Sequence, residues 1–390
     1  MKVMQLTENQ YREAIALSEY AFQYKVPEDQ LENRLTLMKE HHQLFGIMEG
    51  EQLAAKLHLL PLEINIGDET FRMGGIAGVA TYPEYRRSGY VKELLKNGLE
   101  TMKKDGYSVS MLHPFAVSFY RKYGWELFAN RLICSLTKTD LVVHKHVKGT
   151  VKRYNKDSHI EEIEGLYEQF AKRFAGMLVR SRDWWIQSIY HDLTAAVYYS
   201  EENEPTGYML YEIKDSKMKV EEFIPLNNEA RNGLWNFICQ HDSMIKEIKL
   251  ITHEKEPLLY TLQEPRVKAE VIPYFMVRIV DVEQFFKRYA FVWGNQQNDV
   301  VLHISDSFAW WNNVTVVLKN KKVDIVRNEE AGKLQNKGIQ LNINALSATL
   351  FGYKRPTELY EIGFLSGTEE EVKEFESLVP LQQPFIYDFF

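Results

Sequence analysis

The sequence predicts a mixed α/β chain of three successive units, and three observations carry that reading. Strand-like runs alternate with amphipathic helices over residues 1–147, and the same order recurs at low similarity over 148–280. A run of strands followed by helices then fills 281–390. A chain of 390 residues suits two or three domains rather than one.

In the first unit residues 2–6 read as a short strand. Thr7 then starts a helix, and Gln10 three positions on completes a capping-box pattern. A second helix starts near Pro27, whose fixed φ suits a first turn, with Glu28 and Asp29 complementing the helix dipole. Residues 44–48 and 53–66 read as strands joined at Gly50-Glu51, and Gly67-Asp68 turns into the next strand, which ends in 75–81. The helix after it carries Val91, Leu94, Leu95, Gly98, Leu99 and Met102 on one face. A strand over 107–112, a short helix and a final strand complete the unit.

In the second unit Asn155-Lys156-Asp157-Ser158 precedes a helix striped by Ile160, Ile163, Tyr167, Phe170 and Phe174. Antiparallel strands follow at 195–200, 206–213 and 218–225, then a helix through Leu234, Phe237 and Ile238 and a strand at 248–252. The third unit has strands at 300–304, 314–319, 322–327 and 339–343 ahead of two or three helices. It ends on Pro384-Phe385-Ile386-Tyr387-Asp388-Phe389-Phe390. Such an apolar, strand-like tail is unusual, since most termini are polar and frayed.

Composition narrows the function classes. Hydrophobic residues at 45% and charged residues at 26% are ordinary for a soluble globular protein. Aromatics at 13% are high enough to line cavities as well as fill cores. A net charge of −7 disfavours nucleic acid as a partner and is compatible with a cationic substrate. Cys134 and Cys239 lie far apart and form no metal or redox motif, which fits a reducing compartment. The N-terminus has no signal-peptide core, and no apolar run approaches a membrane span, so a cytoplasmic location is expected. His144-Lys145-His146 lacks a nearby third ligand, so no metal is expected. His41-His42 reads as the solvated end of a helix, and Trp184-Trp185 and Trp310-Trp311 as core or cavity wall.

The chemistry concentrates at Arg86-Arg87-Ser88-Gly89-Tyr90-Val91. A strand, a basic loop with glycine and a helix N-terminus together suit a pyrophosphate. The first helical amides lack carbonyl partners and point out of the helix end. Gly89 lets phosphate oxygens approach the backbone, and the arginines add charge. The counterpart in the second unit, Leu226-Asn227-Asn228-Glu229-Ala230-Arg231-Asn232-Gly233, has one arginine and an acid and lacks that pattern. The second unit is therefore not expected to hold a pyrophosphate there.

The order "RRSGY", helix, strand, "FYRKYGWE" resembles the GNAT superfamily of N-acetyltransferases, departing from its Arg-x-x-Gly-x-Gly/Ala loop at Val91. The resemblance covers the whole first unit, and the second reads as a degenerate GNAT-like unit. Residues 346–353 and 356–359 resemble the sterol-carrier-protein-like domain. Two GNAT-like units, a sterol-carrier-like unit and an aromatic last residue together resemble the enhanced-intracellular-survival (Eis) acetyltransferases. The motifs "GVATYPEYRRSGY", "FYRKYGWE", "MVRIVDVEQFF" and "YDFF" carry this.

That resemblance implies acetyl-CoA as co-substrate and a primary amine as acceptor, on an aminoglycoside, a lysine side chain or a polyamine. It implies Tyr120 as general acid toward the departing thiolate and the Phe390 carboxylate as general base. Val79, Ala80 and Thr81 would meet the pantetheine arm. Arg86, Arg87, Ser88, Gly89, Tyr90, Val91 and Lys92 would surround the pyrophosphate, and Phe115 and Ala116 would flank the coenzyme. A homo-oligomer, a hexamer in that family, is also implied. Acids in the acceptor pocket would favour polycations. Glu19, Glu28 and Asp388 are weighed for it without a placement, and Phe389 stands where an acidic penultimate residue would support aminoglycosides. A non-catalytic acyl-CoA or lipid-binding protein is the alternative.

Acetyl transfer requires a neutral amine, although a free alkylamine has a pKa of about 10. A carboxylate can take its proton directly or through water. An exposed terminal carboxyl titrates at roughly 3.5, and burial would raise that value.

Overall fold

Strands of the first two units hydrogen-bond into one twelve-stranded sheet, while five strands of the third form a second sheet. These elements come from a computed structural model, which describes residues 2–294, 298–327, 332–334 and 337–390. Met1, the start of the first unit, lies outside the described residues.

The first unit supplies β1 (Met4–Gln5), β2 (Gln43–Glu49), β3 (Gln52–Ile66), β4 (Glu69–Thr81), β5 (Val109–Leu112) and β6 (Glu126–Thr137). The second supplies β7 (Thr150–Tyr154), β8 (Thr194–Tyr199), β9 (Pro205–Lys214), β10 (Lys217–Pro225), β11 (Glu247–Thr252) and β12 (Lys268–Ile279). The sheet order is β1-β2-β3-β4-β5-β12-β6-β11-β10-β9-β8-β7. The two units exchange strands at their junction. β12 enters the first unit between β5 and β6, and β6 pairs with β11 of the second. β12 was not expected from the sequence. Its second half, from Tyr274 on, is fully buried, as a central strand requires, and Pro273 sits where the register against β6 slips.

The predicted helices form. Glu8–Phe22 begins at the Thr7–Gln10 capping box, with the Gln10 side chain accepting from Thr7 N at 2.8 Å. Near Pro27 a short 3-10 turn comes first, and the helix proper is Leu31–His41. Tyr90–Lys104 buries Leu94, Leu95, Gly98, Leu99 and Met102 against β2, β3 and β4. Glu161–Ala171 and Asn228–Cys239 cover the second unit's strands, the latter capped by the Asn227 side chain.

The third unit's sheet runs β15 (Lys322–Val326), β14 (Val314–Lys319), β13 (Val300–Ser305), β16 (Ile339–Asn342) and β17 (Leu365–Ser366). Its helices are Ile343–Leu350, Pro356–Glu361 and Glu369–Leu378. The first of these packs on β12 and β6, and Ser347 Oγ accepts from Ile279 N at 3.0 Å. One apolar core runs from Ile64 and Phe71 through Phe275 and Phe285 to Leu346 and Phe351, so the first and third units share an interior. Arg278, fully buried, pairs with Asp306, lies over the Trp125 ring and donates to the Tyr123 carbonyl, tying β12 to the first and third units.

The tail corrects the reading of it as a strand. Residues 385–388 are buried, yet the tail joins no sheet and makes one isolated bridge, Ala175 to Pro384. Trp185 is core, whereas Trp310, 75% exposed, is wall rather than core, lining with Trp311 an open pocket beside β13 and β14. Cys134 and Cys239 are buried and unpaired. Among the described residues no helix is long and apolar enough to cross a membrane, and no group of three or more His, Cys, Asp or Glu side chains could hold a metal ion.

Candidate active site

The site forms where two parallel strands part. β4 and β5 pair from Met73–Val109 to Ile76–Leu112 and no further, although β4 continues to Thr81. Beyond Ile76 the strand is paired only to β3, and Ala77, Gly78 and Val79 are partly exposed along the opened edge. A bulge falls there, because His58 faces Ala77 while Lys56 faces Ala80. Gly78 holds a positive φ of 54°, and a Cβ on it would lie 3.1 Å from both His58 and Lys56, so glycine is needed for conformation and space. Val79 packs toward the helix Tyr90–Lys104, and Ala80 packs on the opposite face with Tyr11 and Leu17. Thr81 is buried, with its hydroxyl unpartnered.

The loop after β4 fits a pyrophosphate. Arg86, Arg87, Ser88 and Gly89 are all exposed. Arg87 (φ 65°) and Gly89 (φ 83°) are left-handed, and Gly89 is the N-cap of Tyr90–Lys104 with no side chain closing the helix end. The amides of Tyr90, Val91 and Lys92 are thereby left for an anion. The Tyr90 side chain turns away, buried, with its hydroxyl donating to Glu49, so only its backbone can serve the loop. Val91 is half-buried against the helix core, and Lys92 is exposed.

Across the opening, Ala116 is the N-cap of the short helix Val117–Arg121, which carries Tyr120. The Tyr120 ring is buried between Phe115 (centroids 5.4 Å apart), Phe119 (5.2 Å) and Trp125 (6.4 Å). No described residue hydrogen-bonds its hydroxyl. Burial pushes that hydroxyl well above the usual tyrosine range, so it keeps its proton at neutral pH. Phe115, 73% exposed, stands at the mouth.

The end of the chain arrives at the same place. A Cβ on Gly75 of β4 would lie 2.9 Å from the Phe390 ring, which also packs on Phe275 of β12 with centroids 4.9 Å apart. Phe389 lies edge-on to His113, the residue that follows β5, at 5.2 Å. His113 also packs on Tyr274 and Phe275, and burial, with help from Arg131, lowers its pKa. Sequence reasoning missed His113, although its position directly after β5 was available as a signal.

The second unit grips this tail. The buried carboxylate of Asp388 accepts from Arg180 Nε at 3.0 Å, Trp184 Nε1 at 2.8 Å and Tyr167 OH at 3.3 Å. Arg180 also pairs with Glu222, which accepts from Tyr208 OH at 2.7 Å. Burial alone would lower the Arg180 pKa, but the two carboxylates hold it well above its ordinary value. Tyr274 OH donates to the Asp388 carbonyl at 3.0 Å, and Arg131 donates to that of Tyr387. Asp388 is thus committed to Arg180 and is no acceptor-pocket acid. Glu19 bonds Lys25 and Val26, and Glu28 is exposed on the 3-10 turn.

The second unit's own counterpart of the phosphate loop is occupied differently. A cavity of about 390 Å³ at the start of Asn228–Cys239 is lined by Glu201, Glu202 and Glu229 with one lysine, Lys148, paired to Glu201, an excess of acid that disfavours a pyrophosphate. The Tyr198 ring presses on Gly233, and its hydroxyl donates to Glu229 at 2.8 Å.

Residues 2–128 match the profile of an acetyltransferase (GNAT) domain, 176–279 a second such profile, and 282–387 a sterol carrier protein domain. The chain is an acetyl-CoA-dependent N-acetyltransferase. The enzyme is 22% identical over 294 residues to an uncharacterized N-acetyltransferase of Streptomyces griseus, covering 67% of this chain and 69% of that one. A probable N-acyltransferase of Enterococcus faecalis, of unknown function, is 26% identical in its crystal structure. It superposes with a TM-score of 0.91 over 100% of this chain and 99% of that one. Eis1 of Mycobacterium abscessus shares the fold at 17% identity, with a TM-score of 0.81 over the whole of both chains. With catalytic domains of this kind, the enzyme is not the non-catalytic lipid or acyl-CoA binder weighed as the alternative.

Proposed function

We propose that this enzyme is of the Eis type and moves the acetyl group of acetyl-CoA directly to a primary amine, with Tyr120 as general acid and the Phe390 carboxylate as general base. One observation carries the reading. The opening between β4 and β5 is flanked by a tyrosine with an uncommitted hydroxyl and by the chain's own carboxyl end. The coenzyme phosphates would sit on the Arg86–Val91 loop, and the pantetheine along Val79, Ala80 and Thr81. The terminal carboxylate takes the amine's proton, the freed nitrogen attacks the thioester carbon, and Tyr120 protonates the departing sulfur.

The acceptor is an aminoglycoside, lysine side chain or polyamine amine. Turnover of acetyl-CoA with one member of each class, followed by thiol release, tests the reading. Binding of acetyl-CoA with no turnover across the panel would overturn it.

Calorimetry should find one acetyl-CoA site per chain, in the first unit, and two equivalent sites would defeat this assignment. Arg87→Glu, which sets a like charge beside the pyrophosphate, should weaken that binding at least about tenfold. The fold should survive, because the loop is exposed.

We place the enzyme in the cytoplasm, in keeping with two buried unpaired thiols. It would work as a hexamer, and the exposed Tyr360, Ile362 and Phe364 suit such contacts. Light scattering should give about six times the chain mass of 45.8 kDa, and a monomer mass would refute assembly.

A further inference from the structure

Two bases, Lys56 and His58, lie on the face of β3 that carries Phe390, His42 meets them from the end of the helix Leu31–His41, and none of the three is paired with a described carboxylate. Leu60 faces Gly75, His58 faces Ala77 and Lys56 faces Ala80. Opposed residues share a face and side chains alternate along a strand. Leu60, His58 and Lys56 therefore project on the side where Phe390 covers Gly75. Lys56 is wholly buried, His58 nearly so, and His42, which ends the helix Leu31–His41, is half-buried. His42 is thus not the solvated residue that the sequence suggested.

Hydrogen-bond contacts connect the three in series. Lys56 Nζ donates to the Gly78 carbonyl at 3.0 Å and to His58 Nε2 at 2.7 Å. With Lys56 as the donor, His58 carries its proton on Nδ1, which lies 3.0 Å from His42 Nδ1. His42, half-buried, in turn carries its proton on Nε2. Burial lowers Lys56 to about 7 and His42 to about 3, and it lowers His58 as well. The charged and titratable neighbours, Arg34 on Leu31–His41 and His41, act in the same direction. A lysine that is largely neutral just above pH 7 can both take and give a proton.

We propose that Lys56, His58 and His42 form a proton-release path, loaded at the β4 bulge by the proton that amine acetylation liberates and emptied to solvent at His42. This rests on the acetyl-transfer reading. An ammonium acceptor and acetyl-CoA yield an amide, a free thiol and one proton. The N–C bond forms, the C–S bond breaks, nitrogen gives up two protons and sulfur regains one. Of the two nitrogen protons, one restores the proton that Tyr120 gives to sulfur; the other, taken first by the Phe390 carboxylate, is passed to Lys56 Nζ, which hands a proton to His58 Nε2. His58 releases its Nδ1 proton to His42 Nδ1, and His42 sheds its Nε2 proton outward. Tautomer exchange then resets both rings.

His42→Ala removes the outer link at a half-exposed position. In weak buffer its kcat should fall about tenfold or more, with KM for acetyl-CoA unchanged, and tens of millimolar imidazole should restore it. Lys56→Met should be slow without rescue, because its gap is buried. Native-like kcat for His42→Ala in weak buffer, or a deficit that imidazole leaves untouched, would overturn the proposal. Nitrogen-15 spectra of the native protein test the wiring apart from activity. His58 should carry its proton on Nδ1 and His42 on Nε2, and the opposite pair of tautomers would also overturn it. Native protein that turns over no amine while showing the expected tautomers would sink the acetyl-transfer reading and, with it, the assigned cargo of the path.

Discussion

Extending the chain by a few residues beyond Phe390 should abolish acetyl transfer while leaving acetyl-CoA binding intact. The extension converts the terminal carboxylate to an amide, which accepts no proton at neutral pH. It also forces polar backbone past a ring seated on Gly75 and Phe275, at a desolvation cost. The Arg86–Val91 loop, proposed above to hold the coenzyme phosphates, lies at the far end of β4 and is untouched. Loss of a general base costs on the order of 10²–10⁴-fold in rate, so kcat should fall by at least that much. An N-terminal extension should be harmless by comparison. Equal kcat from extended and native-ended protein would rule out the terminal base.

Asp388→Asn probes the same machinery from behind. It keeps the size of the side chain but leaves Arg180 facing Glu222 alone and weakens the acceptor for Trp184. Breaking one side of a buried charge network is strongly destabilising locally. The last two residues should lose their position, so kcat should drop while calorimetric acetyl-CoA affinity holds.

Tyr120→Phe is expected to lower kcat by about 10²–10⁴-fold with little change in acetyl-CoA affinity. The ring contacts with Phe115, Phe119 and Trp125 remain, and no described hydrogen bond is lost, so stability should hold. The raised pKa means that the hydroxyl does not ionise at neutral pH, and the native rate should show no alkaline loss from this group below the ordinary tyrosine range. Near-native turnover by the variant would remove Tyr120 from the mechanism.

Local patterns proved readable wherever the physics is local. The Thr7–Gln10 capping box, the turn at Gly50 and the apolar face of Tyr90–Lys104 each depend on residues a few positions apart, and each formed as read. The open helix end at Gly89 was legible for the same reason, since a left-handed glycine and the helix it precedes are neighbours in sequence. The bulge at Gly78 also left a local sign, a glycine within an apolar strand, and it went unread.

Other features depend on partners far along the chain. β12 pairs with β5 and β6 across more than a hundred residues, and nothing in its own composition names those strands. The Asp388 carboxylate finds Arg180, and the run of histidines at 41–42 hid a contact to His58 that exists only once β2 and β3 lie side by side.

The sequence by itself therefore determined most of the helices and strands, the open helix end at Gly89 and the short helix that carries Tyr120, because short-range sterics, capping and charge write these directly into neighbouring residues. Tertiary structure alone decided the strand exchange, the clamp that sets the chain's end beside β4, and the series contact of Lys56, His58 and His42. Each requires groups distant in sequence to share a buried space, where unpaired polar atoms are costly and only the folded arrangement supplies the partner.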